Sequence, residues 1–337
     1  MNNLNVYNKK ILVTGGAGFI GSNLCKILLS YGNKVICLDN LSTGYYSNIE
    51  CFLKDKNFTF VNGDICDFSA CEKAVFDVDY VLHQAALGSV PRSIKDPIST
   101  TNVNILGFVN IFHAAVKAKV RRFIYAASSS TYGDSIDLPK IENKIGKPLS
   151  PYAITKYTNE LYAENFSKIY HLEVVGLRYF NVFGENQSPN GAYAAVIPKF
   201  VNDFINHRSP IINGDGSFSR DFTYIDNVIQ ANLLSINTKS TELFDKENMH
   251  QVFNVAYGDS TSLNRLVDIL KNNLLEFDKS IESIIPIYGP SRDGDIPHSL
   301  ASIDKAKKML GYNPKYDIES GIKATCKWYF KRLKIKN

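Results

Sequence analysis

Long apolar runs are missing from this 337-residue chain. No uninterrupted stretch approaches the ~20 residues that a membrane-spanning helix needs, and the opening MNNLNVYNKK lacks the apolar core of a secretory leader. A cytoplasmic protein with no membrane partner is therefore expected. Clustered metal ligands are missing too: the six histidines are scattered, no His-Glu-x-x-His or His/carboxylate group occurs, and no metal is expected. The six cysteines (Cys25, Cys37, Cys51, Cys66, Cys71 and Cys326) have neither paired ligand spacing nor the density of a disulfide scaffold. They read as reduced, mostly buried thiols. The formal charge of +5 is spread along the chain, apart from the tail Lys331-Arg332-Leu333-Lys334-Ile335-Lys336. Such a tail reads as a solvated end, so no nucleic-acid partner is expected. Internal repeats and low-complexity segments are also absent.

What is present is a rhythm. Short Val/Ile-rich runs at Ile11-Leu12-Val13, Val35 to Leu38, Phe58 to Val61, Tyr80-Val81-Leu82 and Phe123-Ile124-Tyr125 alternate with longer amphipathic stretches. Strands buried on both faces read as continuous apolar runs, and the spacing leaves room for crossover helices near Ser22–Tyr31, Ser69–Val75, Asn104–Ala118 and Pro151–Tyr170. A further strand is expected over Glu173–Leu177. The pattern predicts an α/β fold, a Rossmann-type doubly wound parallel sheet with a smaller C-terminal substrate-binding lobe. Residues 1–180, with return segments near 220–257, form the cofactor domain in this reading, and 181–337 mainly the lobe. Past Asn181 the chain breaks into Gly-, Pro- and Asn-rich loops, then resumes with helices around Ala195, Leu263, Asp304 and Ile318.

Directly after the first strand stands Thr14-Gly15-Gly16-Ala17-Gly18-Phe19-Ile20-Gly21. In this context Gly15 permits a tight turn, Gly18 lets backbone approach a pyrophosphate, and Gly21 lets helix pack closely on strand, while the helix N-terminus offers N–H donors to phosphate. Asp39 ends the second strand, 18 residues beyond Gly21. A carboxylate there can accept both adenine-ribose hydroxyls and repels a 2′-phosphate, which points to NAD rather than NADP. Asp64-Ile65 and Gln84-Ala85-Ala86 follow the third and fourth strands and fall at the same edge.

The chemistry rests on Ser128, just past the fifth strand, and on Tyr152 and Lys156, spaced Tyr-x-x-x-Lys on the next helix. Residues four apart share a helical face, so the ammonium is expected beside the phenol, favouring phenolate. Bringing a phenol from its ordinary pKa of ~10 to near neutrality needs roughly 4 kcal/mol, which a lysine and an oxidised nicotinamide can supply together. Tyr152 then serves as base toward a substrate hydroxyl, with Ser128 as hydrogen-bond partner.

Together these residues resemble those of the extended short-chain dehydrogenase/reductases, and among them the UDP-hexose 4-epimerases, from Lys10 to about Tyr329. The sequence looks most like bacterial UDP-N-acetylglucosamine 4-epimerases of surface-polysaccharide synthesis, through HQAALGSVPRS at 83–93, YFNVFG at 179–184 and NGAYAAVIPK at 190–199. The resemblance implies a redox-neutral cycle on UDP-GlcNAc and UDP-GalNAc. Tyr152 deprotonates the sugar 4-hydroxyl as hydride passes to tightly held NAD, the 4-keto sugar swings about its pyrophosphate, and hydride returns to the other face. It adds Phe19, Ile20, Asn40, Ser42, Thr43, Gly44, Asn104, Tyr179 and Val182 to the cofactor contacts.

For the substrate, Arg220 and Arg292, the latter in Arg-x-Gly-Asp with Asp295, match family positions that hold diphosphate and ribose, which a guanidinium fork suits. Asn181 and Asn213 match nucleotide-sugar contacts, and Gly88, Ser89, Asn181, Gln187, Ala195 and Val196 match the walls of an N-acetylhexosamine pocket. Ser299 stands where strict galactose epimerases carry a bulky tyrosine, and a serine there leaves room for an N-acetyl group. Pro297 replaces a residue that is commonly basic in close relatives. The helices Asn104–Ala118 and Pro151–Tyr170 match those through which family members pair as four-helix homodimers, so a homodimer is implied.

Three alternatives bear on this reading. A nucleotide-sugar 4,6-dehydratase needs an Asp-Glu pair just after the active-site hydroxyl residue, where this chain has Ser129-Ser130-Thr131. A UDP-N-acetylglucosaminuronate 4-epimerase differs only subtly and stays open. A non-catalytic NAD-binding sensor or scaffold would not need the Ser/Tyr/Lys set that is intact here.

Overall fold

A computed structural model of the chain describes residue 4 and residues 6–189, 194–290 and 296–334. The Val/Ile-rich runs become β1 (Lys10–Thr14), β2 (Lys34–Asp39), β3 (Phe58–Asn62), β4 (Tyr80–His83), β5 (Arg122–Ser128) and β6 (Glu173–Tyr179). Short strands follow: β7 (Val182–Phe183), β8 (Ile211–Asn213), β9 (Ser219–Arg220) and β10 (Thr223–Tyr224). Then come β11 (His250–Val255), β12 (Thr261–Ser262) and β13 (Ile287–Gly289). The seven long strands form one sheet in the order β11-β6-β5-β4-β1-β2-β3. Every pairing in it is parallel. Chain order reverses between β1 and β4. The crossovers leave in opposite directions there, and a crevice opens outside the carboxyl ends of these strands.

The helices are α1 (Phe19–Ser30), α2 (Phe68–Ala74), α3 (Val90–Lys95), α4 (Pro97–Thr101), α5 (Gly107–Lys117) and α6 (Pro151–Tyr170). Beyond β6 lie α7 (Val196–Ile205), α8 (Ile225–Asn237), α9 (Ser240–Leu243), α10 (Leu263–Leu275), α11 (Asp304–Leu310) and α12 (Ile318–Lys334). Alternate strand residues feed two cores. Ile11, Val13, Leu82, Ile124 and Val175 pack with Leu24 and Leu28 of α1 and Val228 of α8 on one face. Leu12, Val81, Phe123 and Val174 pack with Phe108 and Phe112 of α5 and Ala163 of α6 on the other. Each such side chain, fully removed from water, contributes about 1.5–3 kcal/mol, which is why the runs are apolar at every position rather than every second one.

One feature follows the return segment expected near 220–257, and a second departs from the local pattern. α8 and β11 return from the C-terminal half to the sheet, and β11 pairs along β6 from His250–Val174 to Val255–Tyr179. The helix expected to begin at Asn104 begins earlier: Asp96 caps α4 through the Ser99 N–H, and a π-type turn over Asn102–Leu106 leads into α5. That wide turn lets the Asn104 side chain accept from Leu87 N–H (2.8 Å) and donate to the Leu87 carbonyl (3.2 Å) and Thr155 Oγ1 (3.1 Å). An insertion in the helix thus holds the loop after β4.

The C-terminal half carries three small two-stranded sheets, β7 with β10, β8 with β13, and β9 with β12. α10 is capped by Ser262 and buries Leu266, Val267, Leu270 and Leu274. α12 packs on α10, with Ile322, Cys326 and Tyr329 buried. Cys25, Cys37, Cys71 and Cys326 are buried, Cys51 is exposed, and all the cysteines are free thiols. Among the described residues no helix is long and apolar enough to cross a membrane.

Candidate active site

The turn between β1 and α1 sits at the reversal of strand order. Gly15 takes φ +66°, and a Cβ on it would lie 2.7 Å from the Ala85 amide nitrogen, so the turn and the neighbouring loop both exclude a side chain. A Cβ on Gly21 would lie 2.1 Å from the Gly15 carbonyl oxygen, and α1 seats directly on the turn as a result. No side chain caps α1, and its first turn has no acidic residue, which leaves its amide end suited to an anion. Beneath the loop, Thr14 Oγ1 accepts the Ala85 N–H (3.2 Å) and lies 2.7 Å from His83 Nδ1. Burial pushes His83 down to about 3, so the imidazole that shares a hydrogen bond with Thr14 is neutral.

Asp39 ends β2 with both oxygens engaged by backbone: Oδ2 accepts Ala17 N–H at 3.0 Å and Oδ1 accepts Leu41 N–H at 2.8 Å. Burial raises its pKa and those two amides oppose the rise. Asp64 is also buried in part, but the Cys66 amide and the Asn40 side chain (2.9 Å) hold it below its ordinary value.

At the other end of the crevice, β5 delivers Ser128, and Ser150 caps α6 through Ala153 N–H (3.1 Å) with Pro151 in the first turn. This cap places Tyr152 opposite Ser128. Burial raises the Tyr152 phenol, and the neighbouring Ser128 hydroxyl opposes the rise. The expected lowering of the phenol by its lysine neighbour is not what the protein alone produces. Lys156 Nζ is 6.0 Å from the centre of the Tyr152 ring and donates to the Ala126 carbonyl at 2.8 Å, so the ammonium is anchored on β5 rather than on the phenol oxygen. Burial lowers Lys156 to about 8, with Glu160 opposing. Glu160, one helical turn further along the same face, accepts from Nε and Nη2 of Arg178 at 2.9 and 2.7 Å. Tyr179 O–H donates to Gln84 Oε1 (3.2 Å) and accepts from Asn232 Nδ2 (2.9 Å), tying β6, the loop after β4 and α8 together.

These residues surround one cavity of about 600 Å³. Its lining includes Gly15, Gly18, Phe19, Ile20, Asp39, Asn40, Ser42, Thr43, Asp64, Ile65, Gln84, Ala85 and Ala86, and further along Gly88, Ser89, Ser128, Tyr152, Lys156, Tyr179, Asn181, Val182 and Ala195. Other sequence candidates are not among its lining residues. Gly44 would place a Cβ 3.0 Å from Asp39 Oδ2, and Asn104 braces Leu87 as described. Gln187 turns back, its Nε2 donating to the Val182 carbonyl at 3.1 Å while its Oε1 is buried without a partner. Val196 opens α7 and Asn213 ends β8. Arg220 Nη1 donates to the carbonyls of Ser219 (2.9 Å) and Pro297 (3.1 Å), and Ser299 N–H donates to the Ser219 carbonyl (3.1 Å). Arg292, Asp295 and residues 190–193 lie outside the described residues.

Several wall residues escaped the sequence reading: Tyr45, Leu87, Val103, Ser129, Asn186 and Ser188. The spacing of Glu160, four past Lys156, was a usable signal. Asn232 had none, because its partners at the site, Tyr179 and Gln84, are 53 and 148 positions away in the chain.

The model of the NAD dependent epimerase/dehydratase family matches residues 11–256, which spans the glycine turn, the Ser/Tyr/Lys set and β11. The chain belongs to that family. NAD is the family's cofactor. Among solved members, this epimerase/dehydratase chain is 39% identical to a UDP-N-acetylglucosamine 4-epimerase from Methanobrevibacter ruminantium M1 in complex with UDP-N-acetylmuramic acid. The TM-score is 0.87, with 97% of this chain and 100% of that one covered. It is 36% identical to a UDP-glucose 4-epimerase from Thermotoga maritima with UDP-glucose, TM-score 0.86, covering 96% and 99%. It is 30% identical to a UDP-glucuronic acid 4-epimerase from Bacillus cereus in complex with UDP-glucuronic acid and NAD, TM-score 0.84, again covering 96% and 99%.

Proposed function

We propose that this family member is a UDP-N-acetylglucosamine 4-epimerase that interconverts UDP-GlcNAc and UDP-GalNAc with NAD. The observation that carries the reading is the single cleft running from the glycine turn and Asp39 to Ser128, Tyr152, Lys156, Asn181 and Ala195. A dinucleotide fits its first half. Backbone stands bare at Gly15 and Gly21, the Asp39 oxygens each keep a lone pair for a ribose hydroxyl beyond the amide they accept, and Lys156 keeps two of its three N–H donors after serving Ala126. Bound NAD supplies the acceptor, and then the donor, of the hydride at the sugar C4.

The chain's own groups handle proton and position. Tyr152 takes the proton of the sugar 4-hydroxyl at its phenol oxygen, and Ser128 donates to that oxygen. Lys156 holds positive charge nearby and presents its remaining donors to the cofactor ribose. Ser129 and Ser130 carry no carboxylate, so the acid and base for eliminating water are not at hand, which supports epimerisation over dehydration.

Three features support the N-acetylated sugar: the open space beside Gly88, where a Cβ would meet nothing within 4 Å, the small side chains of Ser89 and Ala195, and the Methanobrevibacter neighbour's substrate class. Residues 1–180, with the 220–257 return, serve the cofactor in this assignment. Arg220, Arg292, Asp295, Asn181 and Asn213 of the remainder serve the nucleotide-sugar. Ile98 of α4 and Ile154, Leu161 and Ile169 of α6 are exposed apolar side chains on packed helices, which supports pairing with a second copy.

The test is to incubate the purified protein with UDP-GalNAc, without added cofactor, and to follow the anomeric and H4 signals by proton NMR. Formation of UDP-GlcNAc is the expected outcome. No turnover with NAD demonstrably bound refutes this substrate and turns the assay to UDP-N-acetylglucosaminuronate, which shares its carboxylate with the UDP-glucuronic acid of the Bacillus cereus neighbour.

A further inference from the structure

Ser128 Oγ has one hydrogen to give and two lone pairs to fill. Both lone pairs are taken by one residue: the Ser130 N–H donates to it at 3.1 Å and the Ser130 hydroxyl donates to it at 2.9 Å. The Ser128 carbonyl is separately held by Thr131 Oγ1 at 2.8 Å. With its acceptor capacity spent, the Ser128 hydroxyl can only donate; it lines the same cleft as Tyr152 and opposes the rise that burial imposes on that phenol. A group restricted to donating stabilises phenolate and offers nothing to the proton of a neutral phenol. Ser130 itself is half-buried behind Ser128 and is not part of the cleft wall.

We propose that Ser130 is a positioning residue that fixes the polarity of a hydroxyl chain, Ser130 to Ser128 to Tyr152, so that the last link always runs toward the base. The inference rests on the reading of Tyr152 as the base, and it names a residue that never touches substrate. Removing the Ser130 hydroxyl reopens one lone pair on Ser128. The neutral Tyr152 phenol can then donate into it, and the protonated form of the base gains a hydrogen bond that the native arrangement denies it.

The test compares wild type, Ser130→Ala and Ser130→Thr, each with NAD bound and each paired with the same chain carrying Tyr152→Phe. Near-ultraviolet absorbance titration of each pair isolates the ionisation of Tyr152 and needs no substrate. Ser130→Ala is expected to raise that pKa by about 0.5 to 1 unit, the size of one ordinary hydrogen bond. Ser130→Thr, which keeps the hydroxyl, is expected to titrate with wild type. The acid limb of kcat/KM should move by the same amount in Ser130→Ala, with rates converging at high pH and KM little changed.

An unshifted Tyr152 in Ser130→Ala overturns the proposal. So does an equal shift in Ser130→Thr, since that points to disturbed packing rather than a lost donor. A shifted titration with no turnover of UDP-GalNAc upholds the hydroxyl chain and counts only against the substrate assignment.

Discussion

Asp39→Asn perturbs one side chain and two functions, and their sizes can be worked out separately. In the native protein the two carboxylate oxygens accept Ala17 N–H at 3.0 Å and Leu41 N–H at 2.8 Å. An asparagine has one oxygen, so it can satisfy only one of these amides and must turn its own NH2 toward the other. The unsatisfied buried N–H costs about 1–3 kcal/mol of folding stability. The second loss concerns the cofactor. Ribose hydroxyls that donate to a carboxylate make charge-assisted bonds worth about 1.5–3 kcal/mol, and replacing the charged partner forfeits roughly half of each. A loss of about 1.4–3 kcal/mol corresponds to a tenfold to hundredfold rise in the NAD dissociation constant. Calorimetric titration of cofactor-stripped protein reads the affinity, and thermal unfolding of the same sample reads the stability. An NAD affinity within about threefold of wild type would refute the argument, because it would mean that Asp39 organises its loop without holding the ribose.

The alkaline limb of activity should belong to Lys156. Burial lowers it to about 8, so the charge that favours phenolate is present below that pH and is lost as the pH rises through it. Lys156→Arg keeps the charge and should lose that limb, at a lower rate, and a pH profile of kcat/KM checks both points. Gly21→Ala sets a methyl 2.1 Å from the Gly15 carbonyl oxygen, which only a shift of the turn can relieve. It should cost about 1–3 kcal/mol of stability and strip NAD during gel filtration, and a cofactor peak that stays with the protein would contradict it. Ser299→Tyr should abolish turnover of the N-acetylated sugar while sparing the plain hexose, and equal activity on both would remove Ser299 from the pocket. Leu161→Lys, on the exposed face of α6, should leave a monomer by light scattering. An unchanged mass would move the interface elsewhere.

Part of the site was readable because its chemistry is local. The turn at Gly15 needs φ +66°, and α1 needs a bare Gly21 within the same eight residues, so both requirements are written into one short stretch. Tyr152, Lys156 and Glu160 share a face because a helix repeats every 3.6 residues. Where a group's partners lie far along the chain, the pattern was silent. The phenol and ammonium spacing of Tyr152 and Lys156 was legible, but the carbonyl of Ala126, 30 positions away, claims the ammonium. Gln187 sits in the right segment, yet its amide is drawn back to the Val182 carbonyl.

The sequence by itself determined the strands, whose apolar runs have no stable place except between two layers of helices, and the residues with chemistry to offer at the sheet's edge. Only the tertiary structure decided how those residues are held. β11 joins β6 from 76 positions away, His250 opposite Val174. Arg332 near the chain's end reaches Ser47 at 3.1 Å and Asn186 at 3.1 Å, binding α12 to two loops beside the cleft. The physical reason is that backbone propensity and side-chain periodicity act over a few residues. Hydrogen-bond polarity, burial and charge are set by whichever atoms the finished fold brings within about 3 Å.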